Sequence, residues 1–222
     1  MKTLAAPAEQ GFVLGGMDWE LYEALLERIG DRHVFVTYDR GSLEIMSPSR
    51  EHEVYARLIG RFIAVLALEL DIPIASGGMT TFRRKDLDRG LEPDDCYWIQ
   101  NEARIRGKKR VDLSRDPPPD LAIEVEISRR LLDREGIYAS LRIPEVWCYD
   151  GHKLKILGLV KGRHRVCEAS LALPMLPPAV VERFLRKLET TDETSVLRAF
   201  QMWVRKTLVK PARGRAKGRR SS

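Results

Sequence analysis

Residues 120–127 alternate acidic or small side chains with aliphatic ones at the period of a β-strand. One face of this strand carries Asp120, Ala122, Glu124 and Glu126, and the other face is fully apolar. Same-face neighbours lie about 6.5–7 Å apart, so ionised carboxylates there repel one another unless a cation or a basic partner lies among them. A bound divalent metal ion is the simplest such partner, and it favours hydrolytic chemistry.

The length and composition of the chain predict one globular domain. The 222 residues, of which 44% are hydrophobic and 32% charged, are enough to bury one substantial core. We predict a domain over residues 17–208, between a flexible N-terminus at 1–16 and a disordered basic tail at 209–222. The chain has no apolar run of about 18 residues and no signal-peptide pattern, so we expect no membrane partner and a cytoplasmic location.

The net charge of +6 arises at the C-terminal end, because residues 204–222 contain eight basic and no acidic residues, which leaves −2 on the remainder. Such a tail can bind nucleic-acid phosphates through counterion release, but solvated basic termini are also common, and both interpretations stay open. The candidate nucleic-acid contacts are Lys210, Arg213, Arg215, Lys217, Arg219 and Arg220.

The cysteines and histidines match no metal-binding motif. Cys96, Cys148 and Cys167 are odd in number and widely spaced, so we interpret them as small buried side chains. The four histidines lack the spacing of a zinc helix, and we interpret His52 as a helix-surface residue or, alternatively, a phosphate or substrate contact. The chain also lacks the nucleophile elbow, the phosphate-binding loop and the dinucleotide fingerprint of other enzyme classes.

Hydrophobic periodicity predicts a mixed sheet of about six to eight strands with helices before and after it, an α/β or α+β single domain. The predicted helices cover residues 19–29, 50–70, 131–141, 178–188 and 194–208. The predicted strands cover residues 33–38, 42–46, 72–83, 93–99, 120–127, 145–149, 154–160 and 165–168, and the first two form a hairpin.

A second acidic strand start occurs at residues 92–95, where a proline fixes the backbone. Asp94 from this strand and Glu124 from its neighbour would provide hard oxygen ligands to one ion, with water completing the shell as magnesium prefers. Alternatively, Asp94 and Asp95 solvate a strand end. Glu51 lies one turn before an inward-facing helical stripe and is a further candidate ligand.

The order of these motifs resembles a known family. The motifs are Glu44-Ile45-Met46-Ser47-Pro48, Glu51-His52, Glu92-Pro93-Asp94, residues 119–125, and Tyr138 followed by Ile143-Pro144-Glu145-Val146-Trp147. This order resembles the Uma-type restriction endonucleases of the PD-(D/E)xK nuclease superfamily over roughly residues 19–160. The resemblance implies a restriction-endonuclease-like mixed sheet flanked by helices, and DNA hydrolysis with Mg²⁺ or Mn²⁺.

The resemblance also implies roles for individual residues. Asp94 is similar to the family's Pro-Asp aspartate and Glu124 to the first acid of (D/E)xK, and both would bind the metal. Glu51 resembles the optional acid on the first core helix, and Asp120 would support the metal site from the strand start. The likeness to nucleases that cut in pairs suggests a homodimer.

One position departs from the superfamily pattern. Its lysine should lie two residues after Glu124, where this chain has Glu126. In relatives this lysine is found on the next helix, four residues before the tyrosine, and that position here is Arg134. An arginine stabilises phosphate charge but stays protonated, so it does not serve as a general base; alternatively, Glu126 is a third carboxylate ligand.

Three hypotheses follow from the sequence. The leading one is a metal-dependent deoxyribonuclease that uses Asp94 and Glu124, with Glu126 or Glu51 and with Arg134. The alternative is a nuclease-derived protein that has lost catalysis and retains nucleic-acid binding. The third is a structural or regulatory protein with no nucleic-acid partner.

Overall fold

The structure is a computed structural model, and it describes residues 10–30, 34–128 and 131–209 of the chain. Within these ranges it contains eleven strands and six helices. The strands are β1 Gln10–Gly15, β2 Phe35–Asp39, β3 Ser42–Ser47, β4 Ala75–Ser76, β5 Phe82–Arg84, β6 Arg89–Leu91, β7 Asp95–Trp98, β8 Leu121–Val125, β9 Glu145–Tyr149, β10 Leu154–Val160 and β11 Arg163–Cys167. The helices are α1 Trp19–Ile29, α2 Arg50–Glu69, α3 Glu102–Ile105, α4 Arg134–Ser140, α5 Pro178–Leu185 and α6 Glu193–Thr207.

The strands form two sheets. The first has the order β1-β3-β2-β6-β5 and the second the order β11-β10-β9-β8-β7-β4. All pairings are antiparallel except that of β8 with β9, which is parallel, and α4 lies in the connection between these two strands. The predicted mixed α/β fold is therefore confirmed, but as two sheets instead of one, because alternation identifies strands without specifying which strands pair.

Helices cover both faces of β8 in the second sheet. Leu121, Ile123 and Val125 pack into the core that this sheet forms with α2, α5 and α6. On the opposite face Ala122 belongs to a second buried cluster, to which α4 contributes Ile137 and Tyr138. The alternation predicted for residues 120–127 is confirmed, and its acidic face lies inside the molecule.

Several predicted elements match the structure closely. Helix α1 ends at Gly30 as expected, and β2 and β3 form the predicted hairpin. Helix α2 begins after Ser49, whose side-chain hydroxyl accepts a hydrogen bond from the backbone N–H of His52. Helix α4 begins at Arg134, later than expected, because Asp133 caps it by accepting from the Gly136 N–H.

The strand predicted over residues 72–83 is instead divided into β4 and β5. Gly77 packs so closely against Cys96 and Trp98 that a Cβ atom there would collide with both side chains. Gly78 has a φ of +56°, which interrupts the extended backbone. The glycine pair therefore ends one edge strand before the chain begins an edge strand of the other sheet.

The N-terminal segment predicted to be flexible contains a strand. Residues 10–15 form β1, which pairs with β3 along its whole length, from Gln10 opposite Ser47 to Gly15 opposite Ser42. All six residues are exposed, so the segment has no buried apolar stripe from which a strand could be predicted. In the part of the chain that the structure describes, no helix combines the length and apolar character needed to cross a membrane.

Candidate active site

The fold brings Asp94 and Glu124 together across neighbouring strands. Asp95 pairs with Ile123, so continuing this antiparallel register by one residue places Asp94 opposite Glu124, with both side chains on the same face. The Asp94 N–H donates to the Ile123 carbonyl at 3.1 Å, and the Val125 N–H donates to Asp94 Oδ2 at 2.6 Å. Both residues are buried, with 8% of Asp94 and 1% of Glu124 exposed.

Arg134 lies beside Glu124 and forms a buried ion pair with it. Arg134 Nη2 donates to Glu124 Oε1 at 2.6 Å and to the Glu92 carbonyl at 2.6 Å, and Nη1 donates to the Thr37 hydroxyl. The Tyr138 hydroxyl, one helical turn after Arg134, donates to the same Glu124 oxygen. The predicted neighbourhood of Asp94, Glu124 and Arg134 is therefore present, and it joins both sheets through Thr37 of β2.

The electrostatics of this network hold Arg134 charged and Tyr138 neutral. Burial is the largest single influence and lowers the pKa of Arg134, but the surrounding negative charges, above all that of Glu124, and the hydrogen bond to Glu124 together outweigh it, so the pKa of the guanidinium is well above its usual value. Burial and the charge of Glu124 both raise the pKa of Tyr138. At neutral pH Arg134 is therefore a cation and Tyr138 a hydrogen-bond donor.

Arg134 accounts for much of the charge compensation that the sequence assigned to a metal ion. The repulsion expected along the acidic face of β8 is reduced at Glu124 by the guanidinium. At the other end of the strand, Asp120 accepts from the backbone N–H groups of Ile99 and Asn101 at 2.7 and 3.0 Å. Acidic alternation on a buried strand face therefore does not by itself imply a metal ion.

His52 is buried in this site, which corrects its interpretation as a helix-surface residue. Its side chain is fully buried, and its Nε2 atom lies 3.0 Å from Asp94 Oδ1. The position was predictable from spacing, because His52 is in phase with the buried residues Ala56, Ile59 and Ile63 of α2. The histidine was misassigned because it is polar and lies in the first helical turn.

Glu44 is a buried carboxylate near the site to which sequence reasoning assigned no role of its own. It lies on β3 directly opposite Thr37, the residue that accepts from Arg134. Its Oε1 accepts from the Leu131 N–H at 3.0 Å, and its Oε2 has no hydrogen-bond partner among the described residues. A glutamate within a hydrophobic hairpin strand, between Leu43 and Ile45, was the available signal.

The other predicted site residues lie outside the group of Asp94, Glu124 and Arg134 or at its edge. Glu51 is exposed on α2, where its charge contributes to the raised pKa of Tyr55 after the larger effect of burial. Asp120 is four residues before Glu124 on β8, about 13 Å away along an extended strand, and caps a turn. Glu126 is half-buried just beyond β8. The predicted tail contacts, Lys210, Arg213, Arg215, Lys217, Arg219 and Arg220, lie outside the described residues.

The residues at the centre of the site fit a magnesium or manganese ion by their donor chemistry. Among the described residues there is no group of three or more His, Cys, Asp or Glu side chains arranged to hold a metal. Mg²⁺ commonly uses only one or two protein carboxylates and takes its remaining ligands from water and substrate phosphates. Asp94 and Glu124 provide such a pair, with Arg134 bound to Glu124.

Comparison with known proteins gives two similarities. Residues 19–191 match the model of the Uma2 family, which is described as "Putative restriction endonuclease". A crystal structure described as a "putative nuclease belonging to DUF820" from Anabaena variabilis ATCC 29413 is similar, with 14% identity and a TM-score of 0.46. This similarity covers 68% of the present chain and 90% of the other. None of the curated proteins compared with the chain matches it.

Proposed function

This chain belongs to the Uma2 family of restriction-endonuclease-type proteins, and we propose that it is a metal-dependent endonuclease that hydrolyses DNA phosphodiester bonds. The observation that carries this proposal is the buried pair of Asp94 and Glu124, opposed across β7 and β8 with Arg134 bound to Glu124. Two carboxylates beside one fixed cation form an arrangement suited to phosphoryl chemistry.

Each side chain has a distinct part in the proposed reaction. Asp94 and Glu124 would hold Mg²⁺ or Mn²⁺, which when bound polarises a phosphoryl oxygen and acidifies a water molecule. His52 and the Val125 N–H hold the Asp94 carboxylate from opposite sides, so its oxygens have fixed directions. Arg134 and Tyr138 do the same for Glu124.

Arg134 orients Glu124 and is not the base in this scheme. Its guanidinium stays protonated, and its hydrogen bonds go to Glu124, to Thr37 and to the Glu92 carbonyl. The proton of the attacking water must therefore go to another side chain or to solvent. Glu126 is the candidate acceptor, since it is half-buried and lies two residues after Glu124, just beyond the end of β8.

One observation favours the alternative of a nuclease-derived binding protein without catalysis. Glu124 Oε1 accepts from both Arg134 and Tyr138, and these donors compete with a metal ion for the same oxygen. The two functions make opposite predictions for metal. A nuclease requires divalent ions, whereas a binding protein retains DNA affinity in their absence.

Plasmid nicking in Mg²⁺ and in Mn²⁺ tests the proposal. We expect Asp94→Asn and Glu124→Gln each to lower the nicking rate by roughly 100-fold or more, because each removes a metal ligand. Glu168→Gln is the matched control, since it also neutralises one acid but at an exposed position next to β11. Metal-independent nicking, or equal activity in all four proteins, would reject the proposed mechanism.

A further inference from the structure

A cleft lies between the two sheets, and its lining contains four basic and two acidic residues, the acids being Glu27 and Asp112. Neither carboxylate of the buried pair lines it. The cleft has a volume of about 1140 Å³ and is lined by β4 and β5, which are the terminal strands of their respective sheets. Phe82 and Trp98 form its floor, and Arg83 with Lys108, Lys109 and Arg110 forms its rim. We call this feature the basic cleft.

The charge of the basic cleft comes from one short segment of chain. Residues 104–110 contain five basic and no acidic residues, although residues 1–203 together have a net charge of −2. Such a local excess on an otherwise acidic body is the electrostatic mark of an anionic partner. The segment begins within α3 and continues into the connection that leads to β8.

Two of these cations are available to a ligand. Arg106 pairs with Glu102, and Lys108 pairs with Asp116. Lys109 and Arg110 are exposed, and within the described residues neither forms an ion pair. Arg83 pairs with Glu23 at 3.6 Å, but both side chains are about half exposed, and such pairs contribute little and are readily exchanged for a stronger anion.

The basic cleft is connected to the carboxylate pair by hydrogen bonds. Thr81, on the cleft wall, donates its hydroxyl to Glu92 Oε1 at 2.5 Å. The Glu92 carbonyl accepts from Arg134, which in turn donates to Glu124. Glu92 therefore links the cleft wall, through its side chain, to the Arg134–Glu124 pair, through its backbone carbonyl.

The size and charge of the cleft favour an extended polyanion over a small ligand. Its volume exceeds the roughly 300–1,000 Å³ of typical small-molecule pockets, and its charges lie along the rim. We propose that the basic cleft binds the sugar–phosphate backbone of DNA through Lys109 and Arg110. This inference rests on the proposed function for the identity of the polyanion.

Binding of a fluorescent 20-base-pair duplex to the full chain in EDTA, followed by anisotropy across a salt series, tests the inference. We expect Lys109→Gln/Arg110→Gln to weaken binding by roughly tenfold or more, and to lower the salt slope by about 1.8 because two phosphate contacts are lost. The control is Lys153→Gln/Lys155→Gln, which removes the same charge from exposed residues at the start of β10. Both variants retain the basic tail, so a difference between them belongs to the cleft.

Equal affinity and salt slope in the two variants would overturn the inference, and so would a wild-type protein that does not bind duplex DNA. Because EDTA prevents metal-dependent cleavage, this outcome is independent of the nicking test of Asp94 and Glu124. In nicking assays of an active protein, the cleft variant should raise KM and leave kcat unchanged, since its residues bind the substrate away from the reacting atoms. A loss confined to kcat would also contradict the inference.

Discussion

The buried pair of Arg134 and Glu124 is the residue-scale feature on which the site most depends. Both side chains are almost completely buried, and their separation is 2.6 Å. Removing one member of such a pair leaves an uncompensated charge in the interior, whereas removing both leaves none. The pair therefore links the stability of the fold to the geometry of the site.

Arg134→Met is expected to destabilise the protein by about 3–5 kcal/mol, because Glu124 would then be buried without its cation. The double variant Arg134→Met/Glu124→Met should lose much less than the sum of the two single changes. Urea unfolding followed by circular dichroism measures both free energies. Arg134→Lys keeps the charge but cannot reach Thr37 and Glu92 together, and should cost about 1–3 kcal/mol.

Arg57→Met provides the comparison for this experiment. Arg57 pairs with Glu53 at 3.5 Å but its side chain is 70% exposed, so its loss should change the free energy of unfolding by less than about 0.5 kcal/mol. Additive effects in the Arg134 and Glu124 double variant would show that the two residues are not energetically coupled.

A close contact between a helix and a strand holds α2 against the second sheet. Gly60 of α2 faces β7, and a Cβ atom at this position would lie 2.7 Å from Asp95 Oδ2 and 2.8 Å from the Tyr97 hydroxyl. Since β7 leads directly from Asp94, this approach also sets the distance between α2, which carries His52, and the carboxylate pair.

Gly60→Ala should therefore destabilise the protein by about 1–3 kcal/mol, even though alanine favours a helix over glycine by about 1 kcal/mol. Thermal unfolding measured by calorimetry gives the change. Gly15→Ala is the control, because a Cβ atom there meets nothing within 4 Å. A stabilised Gly60→Ala protein would mean that α2 and β7 can move apart at no cost.

An element was predictable from the sequence when its periodicity and turn residues lie within a short stretch of chain. Helix α1, the β2–β3 hairpin, β9 and β10 carry their periodicity and turn residues within a few positions, and all were predicted. The division into two sheets was not predictable, because β6 pairs with β2 about fifty residues earlier and no local pattern records that partner. Strand β1 was missed because none of its residues is buried.

The same distinction applies to the candidate site. Asp94 stands out as an acid at the start of a largely apolar strand, and Glu124 stands out as an acid within one. The structure places the two side by side. His52 was misassigned because it is polar and lies in the first helical turn, and the burial of Glu44 was missed because its contacts come from elements distant in sequence. Glu145 is a further case: it is fully buried, and Trp147, Ser170, Leu171 and Ala172 donate hydrogen bonds to it.

At the scale of the whole molecule, all six tyrosines are expected to ionise at a higher pH in the folded protein than in the unfolded chain. Burial is the largest cause that raises the pKa of each of them, at Tyr22, Tyr38, Tyr55, Tyr97, Tyr138 and Tyr149. An unfolded tyrosine ionises near pH 10, before its folded counterpart. The stabilisation is therefore complete below about pH 10 and is lost as the pH rises further.

Absorbance at 295 nm and circular dichroism recorded through one alkaline titration check this expectation. Phenolate formation should coincide with loss of structure above about pH 10, and the same protein in concentrated guanidinium should titrate near pH 10. A folded protein whose tyrosines ionise near pH 10 without unfolding would contradict it.

The position of β8 determines how far the protein must unfold before the carboxylate pair is disrupted. This strand lies between β7 and β9, helices cover both of its faces, and Glu124 is on it. Amide protons on such a strand exchange with solvent only when the whole cooperative unit opens, whereas an edge strand such as β1 frays independently. The sheet edges, where β1 and the basic cleft lie, can therefore open locally while the carboxylate pair keeps its geometry. That geometry is lost only on global unfolding.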